Sequence, residues 1–425
     1  MKTLLLPSLN SSPISTSLEM RLLSYFARQT IDQATLERIA PLLEQEINWI
    51  ALVQMANIHG LIPQVYQNFL VVCPNLIPEE LLSTLKVRFH LNTLRNQYLI
   101  KELIRVLELL ESHGISAVPF KGPTLAVLAY GSLSLRQFND LDIWVHEHDF
   151  FKARTILLSD CYQCGLTLHY IGDAESQELG FMRRWGEYPL RHKNGKIMVD
   201  LHGRLVAGEF PILSAKFDVF WENLVPVSLV GTQVATLSPE DLLLYLCVHG
   251  TKDLWERLNW VCDISGLVSG HPQMNWSQVI EEAKRLEIEQ VLYFGLSLAR
   301  DILALTLPQA VARHVDDKFT KEELSVQIQN RILSGIRPQD IEYSHCQRFY
   351  FYSQLLENRR DQCLYYLRFS SRWLFSWLRP NIHDQAFISL PRQCYALYYF
   401  IRPIRLLVQF ADNTFQRLSK AKSNE

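Results

Sequence analysis

Two aspartates, Asp140 and Asp142, stand one residue apart in the strand-like run from Asp140 to Val145. Side chains at i and i+2 of a strand point to the same face, so the two carboxylates converge. Converging hard oxygen ligands are what Mg²⁺ needs when it also holds substrate phosphates. Upstream, Lys121-Gly122-Pro123-Thr124 lies between an apolar run, Ile115 to Phe120, and a helical pattern carried by Leu125, Leu128 and Ala129. That order reads as strand, tight turn and helix N-terminus, where free backbone N–H groups and the positive dipole end meet an anion. A third acid, Asp200, rides on a hairpin: Asn194-Gly195 is the strongest hairpin signal in the chain, flanked by Tyr188 to His192 and Ile197 to His202. His202 shares the strand face of Asp200 and is placed to orient that carboxylate or to meet phosphate. Arg136 offers a guanidinium suited to phosphate, or to an ion pair that orients Asp140. Asp-x-Asp alone carries little weight, since solvated acids commonly end strands; the conjunction of turn, arginine, acid pair and hairpin-borne acid is the signal.

The arrangement resembles the minimal catalytic unit of the DNA polymerase beta-like nucleotidyltransferase superfamily, a glycine-containing turn, a helix and then Asp-x-Asp on a strand. More specifically, it is similar to a large, mostly bacterial family of uncharacterised nucleotidyltransferase proteins, which opens with Lys-Gly and carries an arginine ahead of the aspartates. That family continues with a Val-Asp-Leu-His strand and a Leu-Ser-x-Glu-Asp helix, present here as Val199-Asp200-Leu201-His202 and Leu237-Ser238-Pro239-Glu240-Asp241. One departure is Pro123, which follows the glycine and removes an N–H donor. The resemblance implies an α+β fold, a small mixed β-sheet nucleotidyltransferase core flanked by N- and C-terminal helical regions. It implies transfer of a nucleotidyl group from a nucleoside triphosphate to a hydroxyl-bearing acceptor, a small molecule, protein or RNA that no motif identifies. Asp140, Asp142 and Asp200 become the catalytic carboxylates and the ligands of Mg²⁺ or Mn²⁺, and Lys121, Gly122, Thr124, Arg136 and His202 the nucleotide and phosphate contacts. The alternative is a degenerate member of the fold that binds a nucleotide or a partner without catalysis.

At 425 residues the chain is too long for one ordinary core, and 48% apolar with 20% charged residues is the composition of a packed globular protein. The net charge of -2 gives no whole-molecule reason to expect nucleic-acid binding. Eight cysteines without regular spacing read as thiols in a reducing compartment, and Cys161 and Cys164 form a CxxC with no further ligands nearby. Pro7 breaks the N-terminal leucine run well short of a signal peptide, and no stretch reaches the roughly 18 apolar residues of a membrane span. The expected location is the cytoplasm.

Three regions follow: a helical one over 18–113, the core over 114–237 and a second helical one over 238–425. A run from Glu79 to Leu110 without glycine or proline predicts one long helix stopping at His113-Gly114. Lys86, Arg88, Arg95 and Lys101 on it either line the cleft or form a solvated face, and Lys86, Arg88, His249 and Lys252 are candidates for acceptor contact. Gly131 reads as a helix C-cap and Ser238 as an N-cap. Residues 311–345, the most polar stretch, read as an exposed connection. In the tail Arg368, Arg372, Arg379, Arg392, Arg402 and Arg405 interleave with Tyr365, Tyr366, Phe369, Trp373, Trp377, Tyr398 and Tyr399. That pattern suits RNA or a membrane surface, or a helical domain with arginines at its rim.

Overall fold

A computed structural model describes residues 17–165, 186–206, 214–334, 345–356, 359–360, 362–367, 370, 380 and 382–407. The chain divides into two compact units, one holding the described residues up to 356 and the other those from 359 onward.

Four short helices open the first unit: α1 (Leu18–Phe26), α2 (Gln33–Leu43), α3 (Trp49–Ile58) and α4 (Ile62–Val72). The first three start where Ser17, Asp32 and Asn48 accept the backbone N–H of Met20, Thr35 and Ala51, each satisfying an orphan donor of the first turn. The long helix α5 (Glu79–Ser112, 34 residues) begins after Pro78 with Glu79 and Glu80 at its positive dipole end. Its buried stripe runs through Leu85, Asn92, Asn96, Leu99, Leu103, Val106 and Leu110. The two asparagines in that stripe matter below.

The core follows as β1 (Ala117–Pro119), α6 (Gly122–Tyr130), β2 (Asp140–Val145), α7 (Phe150–Ser159), β3 (Tyr162–Cys164), β4 (Glu187–His192) and β5 (Met198–His202). These strands form one sheet in the order β1-β2-β5-β4-β3. Only β2 and β5 run parallel; the other neighbours are antiparallel, so the sheet is mixed. Leu141, Ile143 and Val145 of β2 and Val199 and Leu201 of β5 are fully buried on one face, while Asp140, Asp142, Asp200 and His202 share the other by strand alternation. A two-stranded hairpin, β6 (Val225–Leu229) and β7 (Thr232–Thr236), turns through Val230 and Gly231, both at positive φ. The Thr236 hydroxyl donates to the Pro119 carbonyl at 2.7 Å and ties this hairpin to the edge strand β1.

Seven helices complete the described part of this unit, beginning with Pro239–Lys252, where the Ser238 hydroxyl accepts the Asp241 N–H as the sequence suggested. The expectation of an exposed connection over 311–345 is corrected over 311–333 by helices at Gln309–Lys318 and Glu322–Leu333, which bury Val311, Val315, Leu324, Ile328 and Ile332, and residues 335–344 lie outside the described residues. The apolar period of a helix survives there inside a charged composition, because the charges occupy the outward faces.

In the second unit, the helix Ile382–Phe387 buries Asp384, which accepts from Arg402 Nη1 at 2.9 Å and Arg405 Nε at 2.6 Å. The Tyr398 ring is buried and its hydroxyl donates to the Ile388 carbonyl at 2.9 Å. Two of the tail arginines are therefore committed to an internal carboxylate. Arg368, Phe369, Arg372, Trp373, Trp377, Arg379 and the Arg392 side chain lie outside the described residues. No helix among the described residues is long and apolar enough to cross a membrane.

Candidate active site

Lys121 is the last extended residue before α6, and Gly122 turns the chain with φ +50. That left-handed value suits glycine, and a Cβ there would stand 3.4 Å from the Asp140 carbonyl oxygen, so the turn and the acid-bearing strand are in close approach. Thr124 is fully buried and its hydroxyl donates to the Lys121 carbonyl at 3.0 Å, which commits it to bracing the turn. The helix ends at Gly131, in the left-handed conformation, whose N–H donates to the Val127 carbonyl at 2.9 Å.

Asp142 and Asp200 are direct partners in the parallel β2–β5 register, with Asp140 two residues back on the same face. The Lys121 ammonium reaches Asp142 Oδ1 at 2.7 Å, and His202 Nε2 meets the same oxygen at 3.2 Å. His202 Nδ1 lies 3.8 Å from Glu187 Oε2, so the imidazole bridges two carboxylates. Burial alone would raise the Asp142 carboxyl, but Lys121 and the His202 hydrogen bond outweigh it and hold the group well below the usual carboxylate range. The same pairing lifts Lys121 well above an ordinary lysine despite its burial. Asp200 has the opposite balance: burial, then the Asp142 charge, push it up to about 7, with His202 offsetting part of the rise. Asp140 is raised by burial and by Asp142, against the pull of Lys121 and Arg136. The face holds more negative charge than its fixed cations balance.

Arg136 meets neither Asp140 nor open space. Its Nε and Nη2 donate to Asp263 Oδ1 and Oδ2 at 2.8 and 2.9 Å, a bidentate pair in which Asp263 is buried and Arg136 nearly so, and the Tyr130 hydroxyl donates to the same carboxylate at 2.7 Å. Asp263 comes from the helix Leu258–Gly270, far along the chain. From the other side Asn96 Nδ2 donates to the carbonyls of Leu133 and Arg136 at 2.7 and 2.9 Å, and Asn92 Nδ2 to that of Ser134 at 3.0 Å. The segment between α6 and β2 is thus clamped by α5 and by the Leu258–Gly270 helix, which sets where Asp140 begins.

Aromatic rings close one side. Phe120 packs edge-on to His202 and to Tyr245, each with centroids 5.0 Å apart, and Tyr245 stacks on His249 at 6.0 Å. Burial, then the nearby Lys121 and Lys252 charges, hold His249 well below an ordinary histidine, so it is neutral at physiological pH. Its Nδ1 lies 3.4 Å from Asp253 Oδ2.

For a divalent cation the donor chemistry fits: three carboxylates share one face, two of them are held high by burial and by the Asp142 charge, and an ammonium stands on the third as a cation would. The fit is not a preformed cage, because among the described residues no three of His, Cys, Asp and Glu are disposed to hold a metal ion together.

Of the residues expected from sequence, Lys121, Asp140, Asp142, Asp200 and His202 come together; Gly122 and Thr124 form the turn beneath them, and Arg136 is taken by Asp263. Lys86 is exposed on the outer side of α5. Asp263, Tyr245, Asn92 and Asn96 were not foreseen. A signal for the first existed: a single acid amid Trp260, Val261, Cys262, Ile264 and Leu267 on an apolar helix is a buried charge that needs a partner. Cys161 and Cys164 form no disulfide, and the Tyr188 hydroxyl donates to Cys164 Sγ at 2.9 Å.

A family model described as uncharacterised nucleotidyltransferase matches residues 45–304. Among solved structures, an antigenic nucleotidyltransferase-like protein from Paracoccidioides brasiliensis matches at 16% identity with a TM-score of 0.30, covering 51% of this chain and 97% of that one. Among curated proteins nothing matches.

Proposed function

Since the chain belongs to that uncharacterised nucleotidyltransferase family, its model match spanning more than half of the 425 residues, we propose that it moves a nucleotidyl group from a nucleoside triphosphate to a hydroxyl-bearing acceptor. The observation that carries this reading is the register pairing of Asp142 with Asp200, with Asp140 on the same face and Lys121 at the turn beside them. In the reaction the acceptor oxygen bonds to the α-phosphorus, the bond from that phosphorus to the bridging oxygen breaks, and pyrophosphate leaves. Asp200, paired in register with Asp142, is the carboxylate placed to take the hydroxyl proton. Lys121 and the positive dipole end of α6 receive the triphosphate, with Pro123 contributing no donor and the Thr124 N–H given to the Lys121 carbonyl. Asp140, Asp142 and Asp200 would hold Mg²⁺ or Mn²⁺, which supplies charge neutralisation on the leaving pyrophosphate and a lower pKa for the acceptor hydroxyl. Arg136 acts through Asp263 on the position of Asp140 rather than on phosphate.

A second reading is binding without transfer, favoured by the closed Lys121–Asp142 pair and the lack of a ready three-ligand group among the described residues. Calorimetry with non-hydrolysable analogues of the four triphosphates separates the two. Transfer chemistry predicts binding with Mn²⁺ that weakens at least tenfold in chelator and equally for Asp142→Asn. Equal affinity with and without metal selects the second reading, and failure of all four analogues to bind in Mn²⁺ rejects both.

A further inference from the structure

Helix α5 carries a second feature that nucleotidyl transfer does not use. On the face opposite its buried stripe, Val87, Leu91, Leu94 and Tyr98 are 57%, 59%, 61% and 45% exposed. Their spacing of four, three and four residues is that of a coiled-coil seam. A membrane-lying face needs a broader apolar arc than this narrow stripe. In heptad terms Leu91 and Tyr98 are a positions, Val87 and Leu94 are d positions, and Arg88 and Arg95 occupy both flanking e positions, with His90 and Gln97 at g. All four of those flanking residues are exposed, and no acid occurs between Glu80 and Glu102. At its N-terminal end the stripe runs through Thr84, the preceding a position, into a cavity of about 670 Å³ whose lining includes Ile50, Val53, Leu81 and the charged Arg88, Arg257 and Glu256. At the other end the Tyr98 hydroxyl accepts from Asn194 Nδ2 at 2.9 Å, so the β4–β5 hairpin tip marks its limit.

We propose that this face of α5 is a docking surface for an acidic amphipathic helix of a partner protein, which packs apolar side chains on the seam and sets carboxylates against Arg88 and Arg95. Charge selects the occupant. A second copy in antiparallel pairing would face arginine with arginine, and in parallel pairing would offer neither Arg88 nor Arg95 a carboxylate, so the seam does not complement itself. The test uses the full chain and a fluorescein-labelled synthetic peptide of four heptads, with Leu at a and d and Glu at e and g. Anisotropy should show saturable binding that falls at least tenfold for the double variant Leu91→Glu/Leu94→Glu and at least fivefold for Arg88→Glu/Arg95→Glu. A probe with Lys at e and g should restore binding to the charge-reversed variant. Thermal melts of these surface variants should match the parent, which separates lost docking from lost folding. A probe that fails to bind the parent, or binds all variants alike, overturns the proposal. So does sedimentation of the parent as a dimer that Leu94→Glu dissociates, which gives the seam to a second copy, or flotation with phosphatidylserine vesicles lost in the same variant, which gives it to a membrane.

Discussion

Odd-numbered residues of β2 and β5, Leu141, Ile143, Val145, Val199 and Leu201, face a dry layer and are fully buried. Of the even-numbered ones, Asp140, Asp142, Asp200 and His202 face a layer where three acids meet one lysine and one imidazole, with buried Trp144 further along β2. Both layers hang on the same backbone hydrogen bonds, yet one stores stability and the other holds charges that repel. The lesson is that parity along a strand separates the two tasks, so each can be perturbed alone, except where an element reaches across. The Asp263–Arg136 clamp is that exception, since it supports the backbone entering β2.

The comparison breaks most severely at the clamp. Asp263→Asn leaves a buried guanidinium without its counter-charge, and chemical denaturation should show a loss of about 3–5 kcal/mol together with weaker triphosphate binding. Leu201→Ala, on the dry face, should cost about 2–5 kcal/mol in the same measurement while Mn²⁺-supported triphosphate affinity stays within twofold. If it does not, the faces are less separable than parity implies.

On the charged face the sign reverses. Asp200 has its carboxyl raised in the folded chain to about 7 from 3.8, so the folded form is favoured below pH 4 and loses that contribution as pH rises through 7. Asp200→Asn should therefore stabilise the fold at pH 8 by on the order of a few kcal/mol at most, read as a higher melting temperature, and change little at pH 4. The smallest effect is at Lys121. Lys121→Met removes the ammonium from Asp142 and should tighten Mn²⁺ binding in the absence of nucleotide by roughly tenfold, about 1.4 kcal/mol, read by Mn²⁺ electron paramagnetic resonance. Unchanged affinity would show that the lysine does not compete for that carboxylate.

Local features of this arrangement were legible in the sequence, because each is written by neighbours. Asn194-Gly195 announces the β4–β5 hairpin, Lys121-Gly122 the turn, and the uninterrupted run after Pro78 the whole of α5. Alternation likewise sets Asp140 with Asp142 and Asp200 with His202, and the resemblance to the nucleotidyltransferase family is what joined the two pairs in one site. What could not be read was pairing across distance. Nothing near Arg136 says that Asp263 will claim it, and nothing near Asn96 says that two loop carbonyls will. The parallel β2–β5 register was also hidden, since strand order depends on which faces must be covered. The helices within 311–345 were missed because charge density masked their apolar period. The β6–β7 hairpin was missed because Val230, a residue that resists positive φ, occupies its turn beside Gly231.

The Arg136–Asp263 pair joins residues 127 positions apart, and that distance is also a time. A chain made at about 5–20 residues per second exposes the guanidinium roughly 6–25 s before its carboxylate leaves the ribosome. Within that interval the carboxylates of β2 and then the hairpin of β5 emerge, while the strand entry they depend on is held from the α5 side alone, by Asn92 and Asn96. The nascent protein thus acquires its chemistry in two instalments, and a stalled or shortened message that ends between them yields acids with only half of their support.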